Sequence, residues 1–241
     1  MLLEVCVDTI EGALAAERAG AGRIELCAAL SEGGLTPSVG LMTAAARLNN
    51  PAFAMIRPRS GLFHFTPEEV TIMLADIDAA RAAGLAGVVL GVQDARGALD
   101  MALLARLSEQ ATGMGRTLHR VIDVVPDPLV ALDQAVLLGF DRVLTSGAKP
   151  LAPDGTELIA EMVRRAGGAL SVMPGCGLTP QNVSRVISAT GATEVHAACN
   201  APVTGDPAFS DFDPKGGRFK TSEAEVRAMV NILEEVDTSS G

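Results

Sequence analysis

An α/β fold of the (β/α)8 barrel type is what this sequence predicts, and three observations lead there. Apolar, β-branched runs alternate eight times with helix-like patterns over 241 residues, close to the roughly 250 residues typical of such a barrel. A short motif recurs in three of those runs: Glu4-x-Cys6, Glu25-x-Cys27 and Glu194-x-His196. Strand side chains alternate faces, so each Glu shares a face with its Cys or His, while Val5 and Val7, Ile24 and Leu26, and Val195 and Ala197 take the other. The apolar face must pack on helices, and the polar face must look into an enclosure. The first and last strands become neighbours only if the sheet closes.

The elements follow in order. LEVCVD (3–8) is the first strand, with a helix over 9–19 stopped by Gly20. RIELCAA (23–29) is the second, and Thr36-Pro37 opens a helix over 37–48. The third strand spans 52–59. Thr66-Pro67-Glu68-Glu69 is a capping box for a helix over 67–83, ended by Gly84. A fourth strand (87–93) precedes a helix over 100–112. A fifth (116–123) precedes a helix over 128–138, closed by Gly139. The sixth strand (141–147) and its helix (155–166) follow. The seventh (169–175) leads through Thr179-Pro180-Gln181-Asn182 into a helix over 180–190, before Gly191. The eighth strand (194–199) and a helix over 222–236 complete the series, with 237–241 expected as a frayed tail. There is no linker or low-complexity tract, so residues 1–241 are read as one domain. An open doubly wound sheet is the competing architecture. It lacks a glycine fingerprint after the first strand, where the chain reads Val7-Asp8-Thr9-Ile10.

Composition narrows the function. A net charge of −10 argues against nucleic acid, whose binding needs a Lys and Arg surplus. No apolar run approaches the roughly 18 residues of a membrane helix. The first strand starts at Leu2 or Leu3 and leaves no room for a leader, so a cytoplasmic protein is expected, with its four cysteines reduced.

The distinctive polar residues fall where barrel active sites lie, at strand C-termini and in the loops beyond. Arg57 and Arg59 end the third strand on one face. His119 and Asp123 share a face of the fifth. Ser146 ends the sixth, and Gly175-Cys176-Gly177 ends the seventh. Glu25, Arg57, His119, Asp123 and His196 are therefore expected to converge as a catalytic set at the C-terminal mouth. Arg59, Ser146, Gly175 and Gly177 are the candidate anion or phosphate site. A structural alternative has Arg57 and Arg59 neutralising Glu4 and Glu25. His64, in a loop before a helix cap, is a solvated residue or part of a lid. Cys199 has the opposite parity to His196 and should face the helices.

The runs Glu25-Leu26-Cys27-Ala28-Ala29 and Glu32-Gly33-Gly34-Leu35-Thr36-Pro37-Ser38, with Ile56-Arg57-Pro58-Arg59, resemble the CutC copper-homeostasis family. So do His119-Arg120 with Asp123, Arg142 to Gly147, and Glu194-Val195-His196. The resemblance spans about residues 3 to 200. It implies a cytosolic barrel linked to copper, binding of Cu(I), and a homodimer or higher homo-oligomer. The family's proposed copper ligands fall on Cys6 and Cys27. Where relatives show small residues, this chain carries Cys176 and Cys199. The residues themselves agree in part: thiolates select Cu(I), and these two lie on adjacent strands. The neighbouring Glu4 and Glu25 oppose thiolate formation.

A second reading makes the barrel an enzyme of isomerase or lyase type acting on a small anionic or phosphorylated molecule. Residues 175–183, Gly-Cys-Gly-Leu-Thr-Pro-Gln-Asn-Val, resemble the phosphate loop of phosphoribosylanthranilate isomerase. Glu25 or Asp123 would serve as base and His119 as acid or base. No organic cofactor is indicated. Copper or a small anion is the expected partner, with neither nucleic acid nor membrane.

Overall fold

The computed structural model describes residues 1–204, 208 and 217–239. Its eight parallel strands are β1 (Leu2–Val7), β2 (Arg23–Leu26), β3 (Ala52–Met55), β4 (Gly87–Leu90), β5 (Gly115–Leu118), β6 (Arg142–Thr145), β7 (Ser171–Pro174) and β8 (Glu194–Ala197). They pair in the order β7-β6-β5-β4-β3-β2-β1-β8. Strands β1 and β8 are hydrogen-bonded neighbours, with Glu4 opposite His196. Among the described residues β7 and β8 lie side by side without a ladder, so the barrel is nearly closed. The predicted fold class is borne out.

Helices alternate with the strands: α1 (Ile10–Arg18), α2 (Val39–Ala45), α3 (Pro67–Ala83), α4 (Met101–Gln110), α5 (Pro128–Leu137), α6 (Thr156–Ala166), α7 (Val183–Thr190) and α8 (Glu223–Ser239). The α3 capping box forms as read, with Thr66 Oγ1 accepting from Glu69 N and Glu69 from Thr66 N. Two starts lie later than read. Ser38, not Thr36, caps α2, and α7 begins after Asn182, whose carboxamide folds back on Thr179 N and Gly177 O. In both, the Pro sits in the loop ahead of the cap. The end of the chain also differs. α8 continues through Asp237, whose carboxylate pairs with the Met1 ammonium at 2.8 Å, so residues up to 239 are helical. Residues 240–241 lie outside the described residues. No helix among the described residues is long and apolar enough to cross a membrane.

Strand parity divides the core in two. Val5, Val7, Ile24, Leu26, Leu90 and Leu118 belong to the large cluster between sheet and helices. Inside the barrel a small cluster of Cys27, Phe53, Met55 and Val89 packs separately. Bulky lumen groups need gaps opposite them. A Cβ on Gly87 would lie 2.2 Å from the Phe53 ring, and one on Gly115 2.6 Å from it. At Gly91 a Cβ would lie 2.1 Å from the His119 imidazole.

One element escaped the sequence reading. After β8 the chain forms β9 (Asn200–Val203), paired antiparallel with β10 (Arg218–Thr221). This ribbon stands beside the C-terminal mouth and packs against α1, where Gly12 leaves room for Thr221. Its strands are four residues each, Pro202 lies within β9, and the two are separated in sequence by far more than a two-residue hairpin turn, so nothing local marked them as a hairpin.

Gly91→Ala should destabilise the fold by about 1–3 kcal/mol, the usual range for overpacking. In a His119→Ala background the same substitution should cost much less, read as a coupling in urea-unfolding double-mutant cycles. Equal costs in both backgrounds would mean that the His119 ring is not what Gly91 accommodates.

Candidate functional site

The lumen is layered. At the N-terminal end Arg23, Phe53, Arg142 and Glu194 form a plug. The guanidinium carbons of Arg23 and Arg142 stand 5.6 and 4.8 Å from the Phe53 ring centre. Arg23 donates to both Glu4 and Glu194, and Arg142 Nε lies 3.4 Å from Glu194. Glu4 is fully buried. It lies between Arg23 on one side and His196 on the other, with His196 Nδ1 2.8 Å from Glu4 Oε1. Burial alone would raise the Glu4 pKa, but the hydrogen bond and charge of His196, then Arg23, outweigh it and hold the pKa down at about 2.

Above this lies the set that can hold a metal. One ligand atom from each of Cys6, Glu25 and His196 lies within 4.8 Å of the others. The β1–β2 register explains it, since Cys6 stands opposite Glu25, and Glu4 opposite Arg23. His196 Nε2 is 3.8 Å from Glu25 Oε2. Burial disfavours an imidazolium at His196, but Cys6, Glu25 and Glu4 around it raise its pKa well above 6.5. Burial, reinforced by Glu4, raises the Glu25 pKa, with His196 and Arg23 opposing. Glu25 Oε1 has no hydrogen-bond partner among the described residues.

Cys27 does not stand level with Cys6, as adjacency alone had suggested. The stagger between the strands carries it two residues further along, where its thiol donates to Glu25 Oε2 at 3.6 Å. Burial, then the Glu25 charge, push its pKa well above 9, so it rests as a thiol. Cys199 packs in the helix-side core, as its parity predicted. Burial raises its pKa to about 12.

The other predicted residues form separate groups. The β5 strand ends at Leu118, so His119 and Asp123 are not on it; they bound a 3-10 turn over Arg120–Asp123. His119 Nδ1 accepts from Val121 N at 3.1 Å, and its ring stacks on Phe63 at 4.6 Å. Its Nε2 has no partner among the described residues. Burial, then the Arg57 charge, lower its pKa to about 3. Among the described residues Arg57 pairs with no carboxylate; it binds the carbonyls of Glu32, Gly34 and Gly61 at 3.0–3.2 Å and pins two loops to the mouth. Arg59 pairs with Glu69 and with the carbonyls of Ser60, Leu62 and His64. His64 itself is exposed. The counter-charge for Glu4 is Arg23, which the sequence reading passed over although it shares a face with Glu25 and Cys27.

Of the candidate anion-site residues, Ser146 lies in the loop after β6, which already holds an anion from within the chain. Asp123 accepts from the amides of Ser146 and Ala148 and from the hydroxyls of Thr145 and Ser146 at 2.5–3.1 Å. Arg120 closes the group, binding Asp123, Ser146 and Cys176. A Cβ on Gly175 would meet Leu144 and His196, and one on Gly177 would meet Leu151, so both glycines serve close packing.

A match to the model of the CutC family covers residues 1–201. A CutC-family protein of Agrobacterium fabrum is 50% identical over 237 residues, covering 97% of this chain and 94% of that one. The chain belongs to the CutC family. A family member of Caulobacter vibrioides is also 50% identical, covering 97% of each chain. The crystal structure of CutC from Streptococcus agalactiae is similar with a TM-score of 0.79 and 29% identity, covering 82% of this chain and 98% of that one. Phosphoribosylanthranilate isomerase of Thermotoga maritima, at 13% identity and a TM-score of 0.59, covering 98% and 99%, shares the fold alone.

Two outcomes follow from the buried charges. Glu4→Gln leaves Arg23 short of a buried counter-charge and should cost about 3 kcal/mol or more in urea unfolding; a loss below about 1 kcal/mol would contradict the pairing. His119 stays neutral in the fold but protonates near 6.5 when unfolded. The unfolded chain therefore binds the extra proton, and the stability contributed by the neutral imidazole is full above pH 6.5 and lost towards pH 3. His119→Gln should flatten the stability profile in that window. An unchanged slope would mean that His119 titrates alike in both states.

Proposed function

We propose that this CutC-family chain handles copper by holding one Cu(I) ion at Cys6, His196 and Glu25 inside the C-terminal mouth of a cytosolic barrel. The observation that carries the reading is the meeting of a thiol, an imidazole and a carboxylate within 4.8 Å in a buried lumen. The Streptococcus agalactiae relative is named for copper homeostasis. All four cysteines are free, as a reducing compartment requires.

The chemistry is that of a soft ion. Cys6 supplies the sulfur Cu(I) prefers, and imidazole is an accepted partner. Glu4 fixes the ring by accepting a hydrogen bond from Nδ1–H, which leaves Nε2 for the metal; a carboxylate behind a ligating histidine is the common orienting device. Binding must expel the Nε2 and thiol protons, so affinity should rise with pH. Glu25 balances the charge and supplies a third, harder donor.

The test is anaerobic Cu(I) titration against a competing chelator, with Zn²⁺ as the control because a mixed S, N, O set also suits zinc. Cys6→Ser should weaken Cu(I) binding by more than about a hundredfold, because loss of an outer-shell partner alone costs about 10–100-fold. Cys27→Ser should change it less than about tenfold. Equal losses would restore the two-cysteine pair as the primary site. Tighter binding of Zn²⁺ than Cu(I), or no binding of either, would overturn the reading.

A second reading is favoured by the line Glu4–His196–Cys6, in which a carboxylate orients an imidazole beside a thiol, as in acid–base and nucleophilic enzymes. Turnover of a small anionic acid or sugar by metal-free protein, absent in Cys6→Ser, would establish it.

A further inference from the structure

Two buried N–H groups at the C-terminal mouth have nothing to donate to. Arg57 Nε and His119 Nε2 lack a hydrogen-bond partner among the described residues, although the two residues are only 7% and 3% exposed. A buried donor left open forfeits its hydration without recompense, and folded chains carry few of them. Both stand just past the C-terminal ends of barrel strands, where barrels of this type bind their ligands.

Each donor is held in one orientation. His119 follows Leu118, which faces the helices, and His119 N still donates to Leu90 O at 2.9 Å, so the imidazole continues the inner face. The ring lies against the bare Cα of Gly91 and packs on Phe63. Val121 N donates to Nδ1, so Nδ1 carries no proton and the neutral ring keeps its one proton on Nε2. Arg57 lies against the same aromatic ring, its guanidinium carbon 5.0 Å from the Phe63 centre. Its two Nη atoms are tied to three loop carbonyls, which fixes the direction of the Nε–H edge. Phe63 thus joins the two donors in one cluster, and the Arg57 charge is felt at His119.

The cluster is also a buried cation without a buried counter-charge. Deeper in the same lumen Arg23 meets Glu4 and Glu194, and Arg142 meets Glu194. Arg57 keeps its proton as every arginine does, yet among the described residues the acid whose charge reaches it, Glu32, is exposed. A buried charge calls for a partner. From these observations we infer that the partner is the carboxylate of a small molecule, which accepts from Arg57 Nε–H and His119 Nε2–H at the mouth of the barrel. Two donors and one positive charge match the two oxygens and one negative charge of a carboxylate. A phosphate dianion would leave an oxygen and a charge unmet. The neutral imidazole donates without adding charge, so the site takes a single anionic group. Binding here rests on neither reading of the Cys6 set. Where the enzyme reading holds, this is where the acid group of its substrate sits.

Titration of acetate into the metal-free, nitrogen-15-labelled full chain tests this, read at the backbone amides of Gly91 and Val121, which lie against the His119 ring. Both should shift saturably at millimolar acetate, the range open to so small a ligand. Chloride at equal ionic strength should shift neither. Inorganic phosphate should bind at least about tenfold more weakly than acetate. His119→Phe fills the place of the ring without its donor and should weaken acetate binding by at least about tenfold. His119→Gln, which keeps an N–H, should stay within about threefold of the wild type. Both variants should retain the wild-type circular dichroism spectrum; the wild-type comparison of acetate, phosphate and chloride decides the matter even if one fails to fold. No saturable shift with acetate, phosphate binding as tightly as acetate, or His119→Phe binding as tightly as the wild type would each overturn the inference. The measurement involves neither copper nor turnover, so its failure leaves both readings of the Cys6 set standing, and their failure leaves this site standing.

Discussion

The Glu4 carboxylate sits in the middle of the barrel with no access to solvent, held by Arg23 from below and His196 from above. A buried carboxylate is tolerated only when its charge is met and its lone pairs are used. Meeting that demand organises the lumen. Arg23 is shared with Glu194, Glu194 with Arg142, and both guanidinium groups lie over Phe53. Gly87 and Gly115 exist as gaps because Phe53 needs them. On the other side, His196 is turned so that its Nε2 approaches Glu25 and Cys6. The same contact that satisfies a buried charge thus aims an imidazole at a thiol.

Much of this was legible in the alternation of residues along strands. Parity alone put Glu4, Cys6, Glu25, Cys27 and His196 in one lumen, and pairing of the first and last strands followed from it. Parity does not give the offset between strands. Cys6 and Cys27 look level in sequence, yet register sets Cys6 against Glu25, and the cluster that could hold a metal is one thiol, one imidazole and one carboxylate. Arg23 carried the same parity signal and was overlooked because it opens its strand, where a basic residue reads as solvated. The fifth strand was read too long because Val121 and Ile122 continue its apolar pattern. They belong instead to a 3-10 turn whose apolar side chains pack on the helices.

The loop after β6 shows how backbone amides suited to an anion can be filled from within the chain. Amides that would cradle a phosphate are present after β6, but Asp123 fills them, and Arg120 balances Asp123. The loop keeps the geometry of an anion site and uses it to fix the chain. Fold likeness to phosphate-binding barrels therefore says little about where a ligand sits here.

The central claim is that the Glu4–His196 contact presents an imidazole beside Cys6 as a mixed sulfur and nitrogen site for Cu(I). Copper K-edge X-ray absorption on the anaerobically loaded wild-type protein tests it most directly. The account predicts one sulfur and one imidazole nitrogen in the first coordination sphere, with the outer-shell scattering that a histidine ring produces. Coordination by two sulfurs with no imidazole would contradict it and assign the ion to Cys6 and Cys27.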